Sequence, residues 1–248
     1  MGSKKTKIPP QTQSIQESEP RVVAAIPCLN TEHFIGDIVT RARKYVDQVI
    51  VIDDGSYDGT IEAARVAGAV VVKHGTNIGY GVAIKSCFET ARASAADVLV
   101  ILDGDGQHNP DQTPRVLAPI LQGEADLVIG SRFFTNRHDI PMYRRFGIGV
   151  ITLLFNIGSR IKVTDAQSGF RAYSRKVLGA FPIVQKGMGV SVEVIIRARE
   201  QGFSIKEVPI SCSYHSKSLK RNPIIHGLSV ALIVVELRLK SWIRRLVR

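Results

Sequence analysis

Five short runs of aliphatic, largely β-branched residues, separated by amphipathic stretches, constrain this chain more than any other feature. VVAAI (22–26), QVIVID (48–53), AVVVKH (69–74), DVLVILD (97–103) and DLVIGS (126–131) are almost continuously apolar. That is the pattern of strands buried on both faces of a parallel sheet. Helical spacing fills the gaps near 33–45, 59–67, 80–95 and 111–122. The alternation predicts an α/β fold with a largely parallel central sheet flanked by helices. With 44% apolar and 22% charged residues the chain has ordinary globular composition, which excludes disordered and collagen-like classes.

Beyond Arg132 the rhythm changes. A helix is expected over 142–163, a short strand over 169–174, a helix over 190–202, an extended segment over 205–215 and a last helix over 223–247. The expected organisation is a flexible polar tail (1–20), one catalytic domain (21–222) and a basic amphipathic C-terminal helix (223–248).

In open α/β sheets, ligands bind beyond the carboxyl ends of the strands. Three of the expected strands end there in polar clusters: Asp53-Asp54-Gly55-Ser56, Asp103-Gly104-Asp105-Gly106-Gln107-His108 and Gly130-Ser131-Arg132. Asp103 and Asp105, one small residue apart, can hold a hard divalent cation, Mg2+ or Mn2+, and through it a diphosphate leaving group. An isolated pair of this kind more often marks a solvated turn. Its place directly after VLVIL, with a second acidic strand end at Asp53 and Asp54, favours the metal.

Charge is unevenly spread. Residues 1–165 carry 18 basic and 18 acidic side chains, whereas residues 166–248 carry 15 and 4, so the whole excess of +11 lies in the last third. An anionic partner is expected there. Aromatic interleaving and nucleic-acid motifs are missing, so that partner is an anionic membrane surface and not nucleic acid. Leu228, Leu232, Val235, Leu239, Trp242 and Leu246 recur at helical spacing, with Arg238, Lys240, Arg244 and Arg248 on other faces, as in an interfacial helix. The expectation is a mixed arrangement, in which the apolar first half, Leu228 to Val235, packs on the core and the basic second half meets the membrane; docking of the whole helix on the core is the competing expectation. No apolar run reaches the roughly 18 residues of a membrane span. Cys28, Cys87 and Cys212 lie far apart with no metal-ligand spacing, which suits a reducing compartment. A peripheral protein on the cytoplasmic face of a membrane is expected.

Six ordered motifs then carry a resemblance. They are Ile26-Pro27-Cys28-Leu29-Asn30-Thr31-Glu32, the stretch Ile52 to Thr60 (IDDGSYDGT), Asn77-Ile78-Gly79-Tyr80-Gly81-Val82-Ala83, the stretch Asp103 to Pro110 (DGDGQHNP), Gly130-Ser131-Arg132, and Asp165 to Arg171 (DAQSGFR). Over residues 21–222 the chain resembles the family 2 glycosyltransferases of GT-A fold, and among them the dolichyl- and polyprenyl-phosphate sugar synthases, the mannose synthases included. The resemblance implies an inverting, metal-dependent transferase that moves a sugar from a UDP- or GDP-linked donor to a polyprenyl monophosphate. Transfer to a hydroxyl of a glycan or glycolipid is the alternative.

By the same resemblance, Pro27, Asn30, Glu32 and Asp53 or Asp54 hold the nucleotide. Asp103 and Asp105 hold the metal, with Gln107 adjoining. Gly79 and Gly81 allow a close backbone approach, which by itself more often means packing, and they do not complete GxGxxG.

A phosphate monoester is largely dianionic at neutral pH and needs positioning more than a strong base. Arg132 and Arg145, with Arg144 as a weaker candidate, match acceptor-phosphate arginines, and guanidinium geometry suits them to that role. Asp165 and Ser168 belong to the acceptor-side element, Asp165 as an orienting group before a base. Arg171 and Glu193 are read as a possible ion pair. Lys217, Lys220 and Arg221, in a loop unlike the commonest mannose-synthase form, are expected to meet the diphosphate.

Overall fold

The computed structural model describes residues 19–134, 142–159 and 161–213, together with Ile233 and Glu236; the side chains of Tyr143, Arg144 and Phe146 fall outside that description. Residues 1–18 and, apart from Ile233 and Glu236, the expected C-terminal helix lie outside the described residues.

The apolar runs form strands β1 (Val22–Cys28), β2 (Gln48–Asp53), β3 (Val70–Lys73), β4 (Val98–Ile101) and β5 (Leu127–Ser131), joined by helices α1 (Glu32–Ala42), α2 (Thr60–Val66), α3 (Tyr80–Ala93) and α4 (Thr113–Leu121). After α5 (Met142–Asn156) come β6 (Arg171–Ser174), α6 (Arg175–Ala180), α7 (Val190–Glu200) and β7 (Ile205–Pro209). The seven strands make one sheet in the order β3-β2-β1-β4-β6-β5-β7. Every neighbouring pair is parallel except those of β6, which runs antiparallel to both β4 and β5.

Both faces of the sheet are covered, which is why the strands lack polar alternation. In β1, Val23 and Ala25 pack into one core with Ile50 and Ile52, while Val22, Ala24 and Ile26 pack into the other with Val49 and Val51. Successive side chains point to opposite faces, and each fully buried Val or Ile contributes on the order of 2 kcal/mol of transfer free energy.

Two elements depart from expectation. The helix expected over 142–163 ends at Asn156, because Gly158 takes a left-handed φ of +64°. The Asn156 side chain then bonds both the N–H (3.1 Å) and the carbonyl (2.7 Å) of Val163, clamping the returning chain. Helix α6, of six residues, had no periodic signal long enough to announce it.

The antiparallel insertion of β6 shapes the site. Arg171 stands opposite Ile101 of β4 and Ile129 of β5, so the chain entering β6, residues 165–170, lies just past the carboxyl ends of both strands. No helix among the described residues is long and apolar enough to cross a membrane.

Candidate active site

The polar strand ends converge where β1, β2, β4 and β5 terminate. Asp103 and Asp105 follow β4 directly. The Tyr80 hydroxyl, at the first position of α3, donates to Asp103 Oδ1 at 3.0 Å. Asp105 accepts from the Gln107 backbone N–H at 3.1 Å and from the Gln107 side-chain amide. Burial raises the Asp103 carboxyl above its usual range, against the pull of Tyr80, Arg132 and Arg171. Burial, and then the charge of Asp103, raise Asp105 as well. Two oxygen ligands that repel each other in a desolvated corner fit a hard divalent cation that takes its remaining ligands from a diphosphate. Among the described residues no set of three metal-ligating side chains occurs. A cation here would depend on the substrate for the rest of its shell.

Backbone packs against this pair. Gly169, in the segment leading to β6, lies so close to the Asp103 carboxylate that a Cβ would collide with it. At Gly104 a Cβ would stand 2.8 Å from Cys28 Cβ. His108 is buried, tilts against Phe170 at 5.4 Å between ring centroids, and accepts from the Asp103 backbone N–H at Nδ1 (3.3 Å). Burial lowers its pKa to about 4. The ring is therefore neutral, and its 3.8 Å approach to the Asp103 carboxylate is not an ion pair.

The β1 and β2 ends supply the other side. Asn30 adopts φ +53°; its N–H reaches Ser56 Oγ (2.9 Å) and its Oδ1 accepts from Tyr57 (3.1 Å). Asp53 is fully buried and accepts from the Ser56 N–H at 3.1 Å. Pro27 lies buried within β1. Glu32 is exposed and accepts from the Gly59 N–H at 2.8 Å, which ties α1 to the turn before α2. Asp54 faces the protein and not the cleft: its oxygens take His74 Nδ1 (2.8 Å) and the N–H groups of Ile78 (3.2 Å) and Gly79 (2.9 Å). It organises the loop that delivers Tyr80. At Gly81 the close approach is to the backbone of Gln185 and Lys186, so this glycine serves packing.

Next to this cluster, beyond β5, the Arg132 guanidinium forks onto the buried Asp165 carboxylate, Nε to Oδ2 at 2.7 Å and Nη2 to Oδ1 at 2.8 Å. Burial alone would raise Asp165, but the charge and hydrogen bonds of Arg132, with Arg171 behind, take it below the ordinary carboxylate range. A carboxylate so held is a poor proton acceptor and a firm orienting group. Glu207 of β7, which nothing local in the sequence distinguishes, fixes the turn from below. Its carboxylate accepts from the N–H of Thr164 (2.7 Å), the N–H of Asp165 (3.0 Å) and the Thr164 hydroxyl (3.1 Å).

An open cavity of about 520 Å3 adjoins, lined by Phe133, Arg145, Gly149, Thr152 and Thr164. The Thr152 hydroxyl is buried with no hydrogen-bond partner, a donor left for a ligand. Residues 164–169 thus join the two halves: Thr164 lines the cavity, Asp165 holds Arg132, and Gly169 abuts Asp103.

Other expectations resolve differently. Ser168 is fully buried, its Oγ accepting from the Phe170 N–H (3.3 Å), and it shapes the turn. Arg171 and Glu193 are not an ion pair. Arg171, buried, donates to the carbonyls of Ser191 (2.6 Å) and Ala166 (2.8 Å), while Glu193 pairs with Arg197 one helical turn away at 2.8 Å. Arg197, four residues further along α7, shares a helix face with Glu193 and takes its charge. The side chain of Arg144, and all of Lys217, Lys220 and Arg221, lie outside the described residues.

The sequence profile described as Glycosyl transferase family 2 matches residues 23–181. The UDP-N-acetylglucosamine–dolichyl-phosphate N-acetylglucosaminyltransferase of Methanococcus voltae is 30% identical over 219 residues, covering 79% of this chain and 87% of that protein. The undecaprenyl-phosphate mannosyltransferase of Micrococcus luteus is 34% identical over 203 residues, covering 77% and 83%. Among solved structures, glucosyl-3-phosphoglycerate synthase from Mycobacterium tuberculosis, in complex with Mn2+ and UDP-glucose, superposes with a TM-score of 0.69 at 24% identity over 90% of this chain and 79% of that one. The fold is the GT-A fold of these enzymes. The chain belongs to glycosyl transferase family 2 and is a glycosyltransferase.

Proposed function

We propose that this glycosyltransferase moves a sugar, with inversion, from a UDP- or GDP-linked donor to a polyprenyl monophosphate. The observation that carries the proposal is the pairing of Arg132 with Asp165 beside a cavity that also holds Arg145 and an unpartnered Thr152 hydroxyl. Two guanidinium groups and a hydroxyl suit a phosphate dianion. A hydroxyl acceptor would need a base, and Asp165, the carboxylate paired with Arg132, is held ionised against that arginine. The relatives named above transfer different sugars, N-acetylglucosamine and mannose, yet both names carry a polyprenyl or dolichyl phosphate, which supports the acceptor class over any particular sugar.

In this reading Asn30 and Asp53 meet the nucleoside, while Asp103 and Asp105, with Gln107 setting the rotamer of Asp105, hold Mg2+ or Mn2+. When bound, that cation supplies positive charge to the departing nucleoside diphosphate. Arg132 and Arg145 draw the acceptor phosphate in against the repulsion of the donor. An acceptor phosphate oxygen bonds to the anomeric carbon as the bond to the donor diphosphate breaks, and the nucleoside diphosphate leaves with both electrons. Asp165 keeps Arg132 aimed and Glu207 keeps Asp165 in place. Lys217, Lys220 and Arg221 are assigned to the diphosphate.

The test is a panel of UDP- and GDP-sugars offered with a phosphorylated prenol and with the free prenol. Transfer to the phosphorylated prenol alone is expected, with Thr152→Val raising its KM several-fold. Equal transfer to the free prenol would overturn the acceptor assignment.

A further inference from the structure

Asp54 is buried, and its carboxylate gathers the connection from β3 to α3. Oδ1 takes His74 Nδ1 and the Ile78 N–H, and Oδ2 takes the Gly79 N–H. His74 carries the hold onward. A carboxylate only accepts, so the Nδ1 proton faces Asp54, while Nε2 meets the Ser86 hydroxyl in the second turn of α3 at 2.9 Å. The His74 backbone N–H donates to the Asp53 carbonyl at 2.8 Å. Asp54, His74 and Ser86 thus brace the ends of β2 and β3 against α3. The same three residue types form nucleophilic triads elsewhere. Here the serine lies inside a helix, where the backbone N–H groups are taken up by carbonyls one turn back and none is left to hold an oxyanion. The brace acts through geometry.

Tyr80 is what it positions. Gly79 precedes α3 with φ +108°, a backbone that favours glycine. On the other side the Gly81 N–H donates to the Lys186 carbonyl at 3.0 Å, with that backbone so near that a Cβ at Gly81 would collide. Between these fixed neighbours the Tyr80 side chain crosses to the end of β4, where its hydroxyl holds Asp103 Oδ1. The other oxygen, Oδ2, backs onto Gly169, where no Cβ would fit. The Asp103 carboxylate is therefore oriented from two sides by the protein itself. Hydrogen bonds that orient a ligating group before the metal arrives raise metal affinity.

We infer that Tyr80 is a positioning residue for the carboxylate of Asp103, and that Asp54, His74 and Ser86 set its reach. The inference rests on the assignment of a divalent cation to Asp103 and Asp105. It gives Asp54 and the Gly79-Tyr80-Gly81 turn a role in the donor half that needs no contact with the nucleotide.

The test is calorimetric binding of UDP and of GDP, without and with Mn2+, to the full chain and to Tyr80→Phe, His74→Leu and His74→Asn. Mn2+ is expected to tighten the binding of at least one nucleotide to the parent. Tyr80→Phe should leave the affinity without Mn2+ unchanged and weaken it with Mn2+ about fivefold, the effect of one net hydrogen bond. His74→Leu should reproduce that loss, and His74→Asn, whose amide can still donate to Asp54, should recover most of it. Added to Tyr80→Phe, His74→Leu should cost less than about twofold more, because both act through one contact. Circular dichroism should match the parent throughout. Equal enhancement by Mn2+ in the parent and Tyr80→Phe, or losses that multiply in the double variant, would overturn the inference. So would equal weakening with and without Mn2+, the mark of a general disturbance. A parent that binds nucleotide with no response to Mn2+ would remove the cation assignment itself, and this inference with it.

Discussion

Arg132 and Asp165, 33 residues apart in sequence, meet in a two-bonded fork whose carboxylate is fully buried and whose guanidinium is nearly so. They come from the ends of different elements, β5 and the loop entering β6, and join only because β6 is inserted antiparallel between β4 and β5. The fork is where the fold turns into chemistry.

Asp165→Asn removes the charge that aims Arg132 while keeping the shape. Breaking one partner of a buried pair costs roughly 3 kcal/mol. The expected kinetic result is a rise in acceptor KM that exceeds any fall in kcat, with donor affinity unchanged. A fall in kcat of several orders of magnitude at constant KM would instead mark Asp165 as the base of a hydroxyl transfer.

Glu207 is predicted to act through Asp165. Glu207→Gln places an amide donor against one of two backbone N–H groups, so at least one of the bonds at 2.7 and 3.0 Å is lost. Acceptor KM should rise several-fold, and nucleoside diphosphate affinity, measured by calorimetry, should stay at the parent value. Equal weakening of both would show a general loss of structure.

Gly169→Ala drives a methyl group into the Asp103 carboxylate. Since Gly169 belongs to the acceptor-side segment and Asp103 to the donor side, this one substitution probes their join. Mn2+ affinity followed by electron paramagnetic resonance should fall about tenfold, on the order of 1.4 kcal/mol, with the circular dichroism spectrum preserved. Unchanged Mn2+ binding would contradict the contact.

His108 is buried and neutral, with a folded pKa of about 4 against 6.5 when exposed. Between those values the unfolded chain binds the extra proton, so stability rises with pH across this window and is lost as pH falls from about 6.5 to about 4. In urea unfolding of the chelated protein, the parent should lose more stability over this window than His108→Leu does. Parallel pH curves for the two proteins would contradict the assignment.

The sheet was legible because strands buried on both faces must be apolar throughout, and the acidic residues that end β2 and β4 stand out against that background. What escaped was whatever depends on partners distant in sequence. Glu207 occupies an ordinary position in a strand, and its meaning arises only when Thr164 and Asp165 arrive above it. Asp54 reads as a ligand like Asp53 until His74 and the 78–79 backbone close around it. Arg171 and Glu193 were matched on charge alone, whereas the buried guanidinium found two carbonyls and the glutamate its helical neighbour. The length of α5 was overestimated because apolar spacing continues past Gly158, whose left-handed backbone ends the helix.

The most direct measurement is radiolabelled sugar transfer to polyprenyl phosphate by the purified chain after exhaustive chelation, with Mn2+ or Mg2+ then restored, alongside Asp103→Asn and Asp105→Asn. The account predicts no transfer without the cation, recovery in the parent on adding it back, and losses of at least about a hundredfold in both variants that excess cation does not repair, nearly 3 kcal/mol of transition-state stabilisation. Full transfer by the chelated parent, or by either variant, would contradict it.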